Sequence, residues 1–253
     1  MPLADFRSPR LFVEAALSTG ADVPLDRNQA NYLGNVLRLG AGSSILVFNG
    51  RDGEWRATIA GGKRPDRLEI TDRTREQDRL PDLTYVFAPL KHARLDYMVQ
   101  KAVEMGVATL QPVLTRHTQV SRVNGERMRA NAIEAAEQCG ILSVATVEEP
   151  LMLERYLQQR EAKRLLVFCD EAADLAAPLG ALQAGNAAAG NGIDVLIGPE
   201  GGFADDERSL LLKQSNILRV SLGPRILRAD TAAVAALTLV QAVLGDWSRP
   251  SPA

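Results

Sequence analysis

Asp194-Val195-Leu196-Ile197-Gly198-Pro199-Glu200-Gly201-Gly202-Phe203-Ala204-Asp205-Asp206-Glu207 runs from an apolar strand, through a turn with three glycines, into an acidic helix start. A strand feeding a helix through a short turn is the repeating joint of a parallel α/β sheet, and such sheets bind ligands where strands end and helices begin. A tight turn needs one glycine. Three let backbone N–H and C=O groups come close to a bound molecule. Gly201, in the middle of the turn, is expected to reject a β-branched replacement.

A second joint of the same kind is Leu222-Gly223-Pro224-Arg225-Ile226-Leu227-Arg228-Ala229-Asp230-Thr231, which follows a strand at Ile217–Ser221. Two arginines just before a helix start suit an anion or a carboxylate. Surface ion pairs, with Asp230 as an N-terminal helix charge, explain the same residues without a ligand.

Working outward, further strands are expected at Thr84–Ala88, Val107–Val113, Ser143–Val147 and Leu165–Cys169. Helices are expected at Arg94–Met105, Glu126–Cys139, Leu151–Glu161, Asp205–Gln214 and Asp230–Leu244. In the first, Leu95, Met98, Val99, Ala102 and Val103 share one face. Alternating strands and helices predict a parallel sheet covered on both sides. The Ala/Gly-rich stretch 181–192 reads as a surface loop.

Residues 1–75 read differently. A strand at Arg10–Val13, a helix over Leu25–Arg38, a hairpin of Ser44–Phe48 with Glu54–Ile59 and a strand at Arg67–Thr71 predict a compact β-rich barrel. Asp72–Arg79, charged and without apolar residues, reads as a solvated linker to a second domain over residues 76–253.

Composition limits the function. Hydrophobic residues make up 46% and charged residues 24%, which is globular usage, and no apolar run is long enough for a membrane helix. MPLADFRSPR has no apolar core of a signal peptide, so a cytoplasmic location is expected. Cys139 and Cys169 with His92 and His117 do not make a metal-ligand spacing, and no metal is expected. G-x-G-x-x-G after a strand, the P-loop and the G-x-S-x-G elbow are all missing. The net charge of −2 excludes a general basic coat. Arg116, Arg122, Arg127 and Arg129 nevertheless outnumber Glu126 in one short run, which suits phosphate contacts as well as it suits an ordinary charged loop.

Gly198-Pro199-Glu200-Gly201-Gly202-Phe203 taken with Leu222-Gly223-x-Arg225-Ile226-Leu227-Arg228 resembles the ribosomal RNA small subunit methyltransferase E family, of the SPOUT superfamily. The resemblance covers nearly the whole chain. Arg10-Leu-Phe, Tyr32-Leu-x-x-Val-Leu-Arg38 and Phe48-Asn-Gly50 look like its PUA-like RNA-binding domain. Lys91, Gln100–Gly106 and Glu134–Gln138 look like the start of its catalytic domain. Three positions depart from the family pattern: Asn31, Ile141 and Asp230.

The resemblance implies transfer of a methyl group from S-adenosylmethionine to N3 of a uridine in 16S ribosomal RNA, within the small subunit. It implies a C-terminal parallel sheet tied in a trefoil knot, rare among proteins, and a homodimer in which both subunits contribute to each site. The cofactor would lie against Leu196, Ile197, Gly198, Pro199, Glu200, Gly201 and Gly202. From the second joint it would meet Leu222, Gly223, Arg225, Ile226, Leu227 and Ala229. Because uracil N3 must lose a proton, Glu200 and Asp230 are candidate bases, and Arg225 and Arg228 candidate stabilisers of the charge that develops. Arg10, Arg38, Lys91, Arg116, Arg122, Arg127 and Arg129 are the expected RNA contacts. A ribose 2′-O-methyltransferase and a catalytically inactive ribosome assembly factor remain as alternatives.

Overall fold

The computed structural model describes residues 5, 7–62, 64–91, 93–120, 122–171, 173, 178–185 and 189–248. By its internal contacts the chain forms two units, residues 1–79 with 133–144, and residues 80–132 with 145–253.

The first unit holds a five-stranded mixed sheet, β1 (Arg10–Phe12), β2 (Asp22–Pro24), β3 (Ser44–Phe48), β4 (Glu54–Gly61) and β5 (Pro65–Arg75), in the order β1-β3-β4-β5-β2. β1 runs parallel to β3 and the other pairs are antiparallel. In its hydrogen bonding the expected barrel is therefore an open sheet. Its alternating residues Ile45, Val47, Ala57, Ile59, Leu68 and Ile70 bury one face with Leu33. The helix expected over Leu25–Arg38 is a short α1 (Arg27–Asn31), capped by Asp26, that widens into a π-helix at Tyr32–Val36. Arg38 ends it with φ +56°, and the side chain of Asn31 is bonded by Asn35 Nδ2 (2.7 Å).

The solvated linker is corrected. β5 continues to Arg75 beside β4, and the following residues are tied down. Asp78 accepts from the Leu142 N–H (2.7 Å) and from Ser143 Oγ (2.6 Å). Glu137, half-buried, accepts the Phe12 N–H at 2.7 Å. Burial pushes its carboxyl up to about 7 against that hydrogen bond, with help from Glu134. The folded state thus holds a proton the unfolded chain releases near 4.5. The stabilisation is complete below that value and is lost as pH rises towards 7. It amounts to at most roughly 3 kcal/mol. Glu137→Gln should flatten this loss, so that chemical denaturation at pH 8 finds the variant more stable than the parent, and at pH 4.5 finds no such gain.

The second unit is built on a seven-stranded sheet of β6 (Leu83–Phe87), β7 (Thr109–Leu114), β8 (Thr146–Val147), β9 (Leu151–Met152), β10 (Leu165–Cys169), β11 (Ile193–Ile197) and β12 (Ile217–Val220). Its order is β12-β10-β11-β6-β7-β8, with β9 also on β7, and every pair is parallel. Ile193, Val195, Leu196 and Ile197 are buried, as both faces of a central parallel strand must be. Asp194 interrupts them and is matched by Tyr156 Oη and Arg164 Nε, each at 2.8 Å.

The helices are α2 (Ala93–Glu104), α3 (Gly125–Cys139), α4 (Leu153–Gln159), α5 (Pro178–Ala184), α6 (Asp205–Leu212) and α7 (Ala229–Val243). α5 occupies the start of the stretch expected as a loop, and residues 186–188 lie outside the described ones. Leu151, expected in a helix, pairs with Val113 in β9 instead. Among the described residues no helix is long and apolar enough to cross a membrane.

Candidate functional site

β10, β11 and β12 end side by side, and over their C-terminal ends lies a cavity of about 620 Å³. Both glycine-bearing joints line it. From the first come Ile197 to Phe203, and from the second Leu222 to Leu227 with Ala229. Of the residues expected at the cofactor, Leu196 alone does not line this cavity. It is fully buried in the core with Val86, Phe168 and Leu211, because its side chain lies within the sheet's packing rather than at the strand end.

The glycines divide by what they do. Gly202 (φ +69°) and Gly223 (φ +104°) have left-handed backbones. A Cβ on Gly198 would lie 2.5 Å from the Phe203 ring. That ring packs edge-on against Phe168 (5.4 Å), so it has no room to retreat. Gly201 is less constrained than expected. Its Cβ would meet His117 Cβ at 3.3 Å, and its φ is not left-handed.

A third wall was missing from the sequence reading: Cys169, Asp170 and Glu171, at the end of β10. Asp170 is buried and held by Arg208 Nη2 and Arg219 Nε, both at 2.9 Å. Burial pushes the Cys169 thiol up to about 12, which keeps it neutral at the cavity wall.

The first joint is braced from the turn after β7. Glu207, 1% exposed, accepts the N–H of Ala204 (3.0 Å) at the start of α6 and the N–H of Arg116 (2.9 Å). His117 Nδ1 donates to the Gly202 carbonyl oxygen (3.0 Å). Glu200 is ion-paired to Arg94. Beyond that pair a second cavity, about 430 Å³, is lined by Pro89, Leu90, Lys91, Ala93, Arg94, His117, Gln119 and Val120. Pro199 and Glu200 line both cavities. β11 explains this: it lies between β10 and β6, so its terminal turn is reached from either side.

The candidate bases and cations separate. Asp230 lines neither cavity, and its carboxylate accepts the Thr231 N–H (2.8 Å). Arg225 is exposed on the first cavity, whereas Arg228 is the residue before α7 and lies outside the cavity wall. Neither has an ion-pair partner among the described residues.

The expected RNA contacts also separate. Arg38, Lys91, Arg122 and Arg129 are exposed. Arg116 and Arg127 are exposed too, and they pair with Asp206 and Asp96. Arg10 is corrected. Its side chain is 3% exposed, its Nε is 2.7 Å from Glu54, itself 1% exposed, and Nη2 donates to the Asp5 carbonyl oxygen. A phosphate has no access to it. His92 lies outside the described residues, and among these no group of His, Cys, Asp or Glu is placed to hold a metal ion.

Comparison with known proteins gives one family. Residues 76–241 match the RNA methyltransferase domain family, and residues 25–72 the RNA methyltransferase PUA domain. Ribosomal RNA small subunit methyltransferase E of Rickettsia conorii is 30% identical over 234 residues, 92% of this chain and 94% of that protein. The crystal structure of ribosomal RNA small subunit methyltransferase E from Neisseria gonorrhoeae, bound to S-adenosyl methionine, is 28% identical. It superposes with a TM-score of 0.76 over 93% of this chain and 97% of its own. A Legionella pneumophila protein solved with the same cofactor gives 0.77 at 26% identity, over 93% and 98%.

Proposed function

Since this chain belongs to the ribosomal RNA small subunit methyltransferase E family and is an S-adenosylmethionine-dependent RNA methyltransferase, we propose that it methylates N3 of a uridine in 16S ribosomal RNA, with Glu200 as the base. The observation that carries this reading is that Glu200 lines both cavities, so this residue stands between the proposed methyl-donor site and a neighbouring space.

The first cavity suits the cofactor. Ile197, Leu222 and Leu227 offer an apolar slot, and the glycine turns expose backbone groups for hydrogen bonds to adenine. Glu171 and Glu200 at the wall suit a ligand that is positive at sulfur and carries no phosphate. Bound there, S-adenosylmethionine supplies a methyl group that the N3 electron pair takes from sulfur, leaving a neutral thioether. Glu200 takes the N3 proton. Arg225, at the first cavity on the loop between β12 and α7, favours the negative charge that uracil acquires as that proton leaves, whereas Arg228 lines neither cavity and has no such role in this reading. Asp230 shapes the start of α7 and is not the base in this reading.

The exposed arginines Arg38, Arg116, Arg122, Arg127 and Arg129, with Lys91, are proposed to hold RNA phosphates. The trefoil knot and a homodimer belong to the same proposal. Residues 198–203 and 221–227 meet around one cavity over adjacent strands, which supports the first. Ile226, an apolar side chain that is 100% exposed on the cavity loop, supports the second. A cytoplasmic location is proposed with it, since a substrate within the small ribosomal subunit would be met there.

Mapping of modified nucleosides in 16S RNA from cells with and without the protein tests the reading. N3-methyluridine at one position should vanish in its absence; a lost 2′-O-methyl nucleotide, or no change, overturns it. The cofactor site has its own test. Gly198→Val should weaken S-adenosylmethionine binding roughly 10- to 100-fold, since overpacking a closed turn costs about 1–3 kcal/mol. Gly201→Val should weaken it less. Calorimetric titration of both checks the order.

A further inference from the structure

We propose that the second cavity seats the methyl-accepting uracil, and that Arg94 and Gln119 select it by its two carbonyl oxygens. The proposal rests on the reaction assigned above and deepens it.

Uracil presents a hydrogen-bond donor, N3–H, between two acceptors, O2 and O4. A site that offers N3 to a methyl donor therefore needs an acceptor opposite N3 and a donor on each side of it. Around the second cavity Glu200 is the acceptor. Arg94 and Gln119 carry side-chain N–H donors, and Lys91 adds a third at the rim. Leu90, Val120 and Pro199 offer apolar surface for the ring faces. Cytosine fails this test twice: it has no N3 proton for Glu200, and its amino group would be a donor set against a cation.

The Arg94–Glu200 ion pair gives the selection a mechanism. The two side chains are 42% and 44% exposed, so the pair is open to water and cheap to break. An entering uracil offers Arg94 a carbonyl oxygen in place of the carboxylate. Glu200 is then released to accept the N3 proton. A base without an acceptor at that edge leaves the pair closed and the carboxylate engaged. Arg94 is thus a specificity-determining residue, with Glu200 as the group it holds in reserve. Neither Arg94 nor Gln119 stands out in the sequence, because the cavity gathers residues 89–91, 93–94, 117, 119–120 and 199–200 from three separate strand ends.

A short oligouridylate carrying one 5-bromouridine, crosslinked by light to the whole protein and mapped by mass spectrometry, tests this without turnover. Crosslinks of the parent should fall within residues 89–94 or 117–120. Arg94→Ala should lower their yield about tenfold, the loss of one charge-assisted hydrogen bond, and Arg94→Lys should restore part of it. Gln119→Ala should lower it too, and decides the matter if Arg94→Ala does not fold by its melting curve. S-adenosylmethionine affinity should be unchanged in all three variants. Crosslinks concentrated elsewhere, or an undiminished yield in the folded variants, overturn the proposal. A parent that makes no N3-methyluridine overturns the assigned reaction instead, and leaves the crosslink map to stand by itself.

Discussion

Glu200→Gln should lower the single-turnover rate of uridine methylation by roughly 10²- to 10⁴-fold, the usual contribution of a positioned general base. The substitution keeps the shape of the side chain and removes its capacity to take a proton. Its ion pair with Arg94 is half exposed, and such pairs contribute at most about 1 kcal/mol, so the melting temperature should hardly move. Affinity for S-adenosylmethionine should change little. The pH profile separates a base from a loop support. With Glu200 in place, the rate should respond little to hydroxide. In the glutamine variant it should continue to climb with pH, as hydroxide takes over the removal of the N3 proton. Asp230→Asn should keep a near-parental rate. A fast Glu200→Gln enzyme, or a slow Asp230→Asn enzyme with unaltered stability, would move the base elsewhere.

Arg10→Ala should cost about 3 kcal/mol of stability, the lower end of what is lost when one partner of a buried ion pair is removed. Glu54, 1% exposed in the intact protein, would keep Arg75 Nη1 at 3.4 Å and Thr74 Oγ1 at 2.8 Å among the described residues. The Asp5 and Glu137 carbonyl oxygens would lose a donor as well. Adding Glu54→Gln should recover part of the loss, because it removes the uncompensated charge. A phosphate contact predicts another pattern, with unaltered unfolding and a flatter salt dependence of RNA binding. Urea denaturation beside RNA binding at two salt concentrations distinguishes them.

Arg10 also shows where a sequence stops being informative. Beside Leu11 and Phe12 its charge could point either way. The residue that decides, Glu54, is 44 positions along the chain and is brought close through β3, the strand between β1 and β4. The parallel strands were legible because strands buried on both faces leave continuous apolar runs, as at Leu165–Cys169 and Ile193–Ile197. β2 left no such trace: of its three residues Val23 alone is buried. Asp72–Arg75 reads as a charged linker because Asp72 and Arg73 are exposed, and the partners of Thr74 and Arg75, Glu54 and Gly140, lie far away in the sequence.

The same limit governs the site. The two glycine joints encode their turns locally, so they could be read. Asp170 and Glu171 belong to the cavity only because β10 lies between β11 and β12. Arg94 and Gln119 are brought together by strand order in the same way.

The interleaving of the two units sets the order in which a growing chain can use them. Residues 1–79 lack their last packing partners until residues 133–144 have been synthesised. Those residues supply Glu137, which accepts the Phe12 N–H, and Leu142 and Ser143, which donate to Asp78. The first cavity, proposed to hold the cofactor, draws on residues up to Ala232. A ribosome working through this message therefore has to add residues as far as Ala232 before the wall of the first cavity can be complete. Messages truncated upstream of α7 yield chains without that cavity wall, and cutting between residues 79 and 133 leaves the first unit unfinished as well.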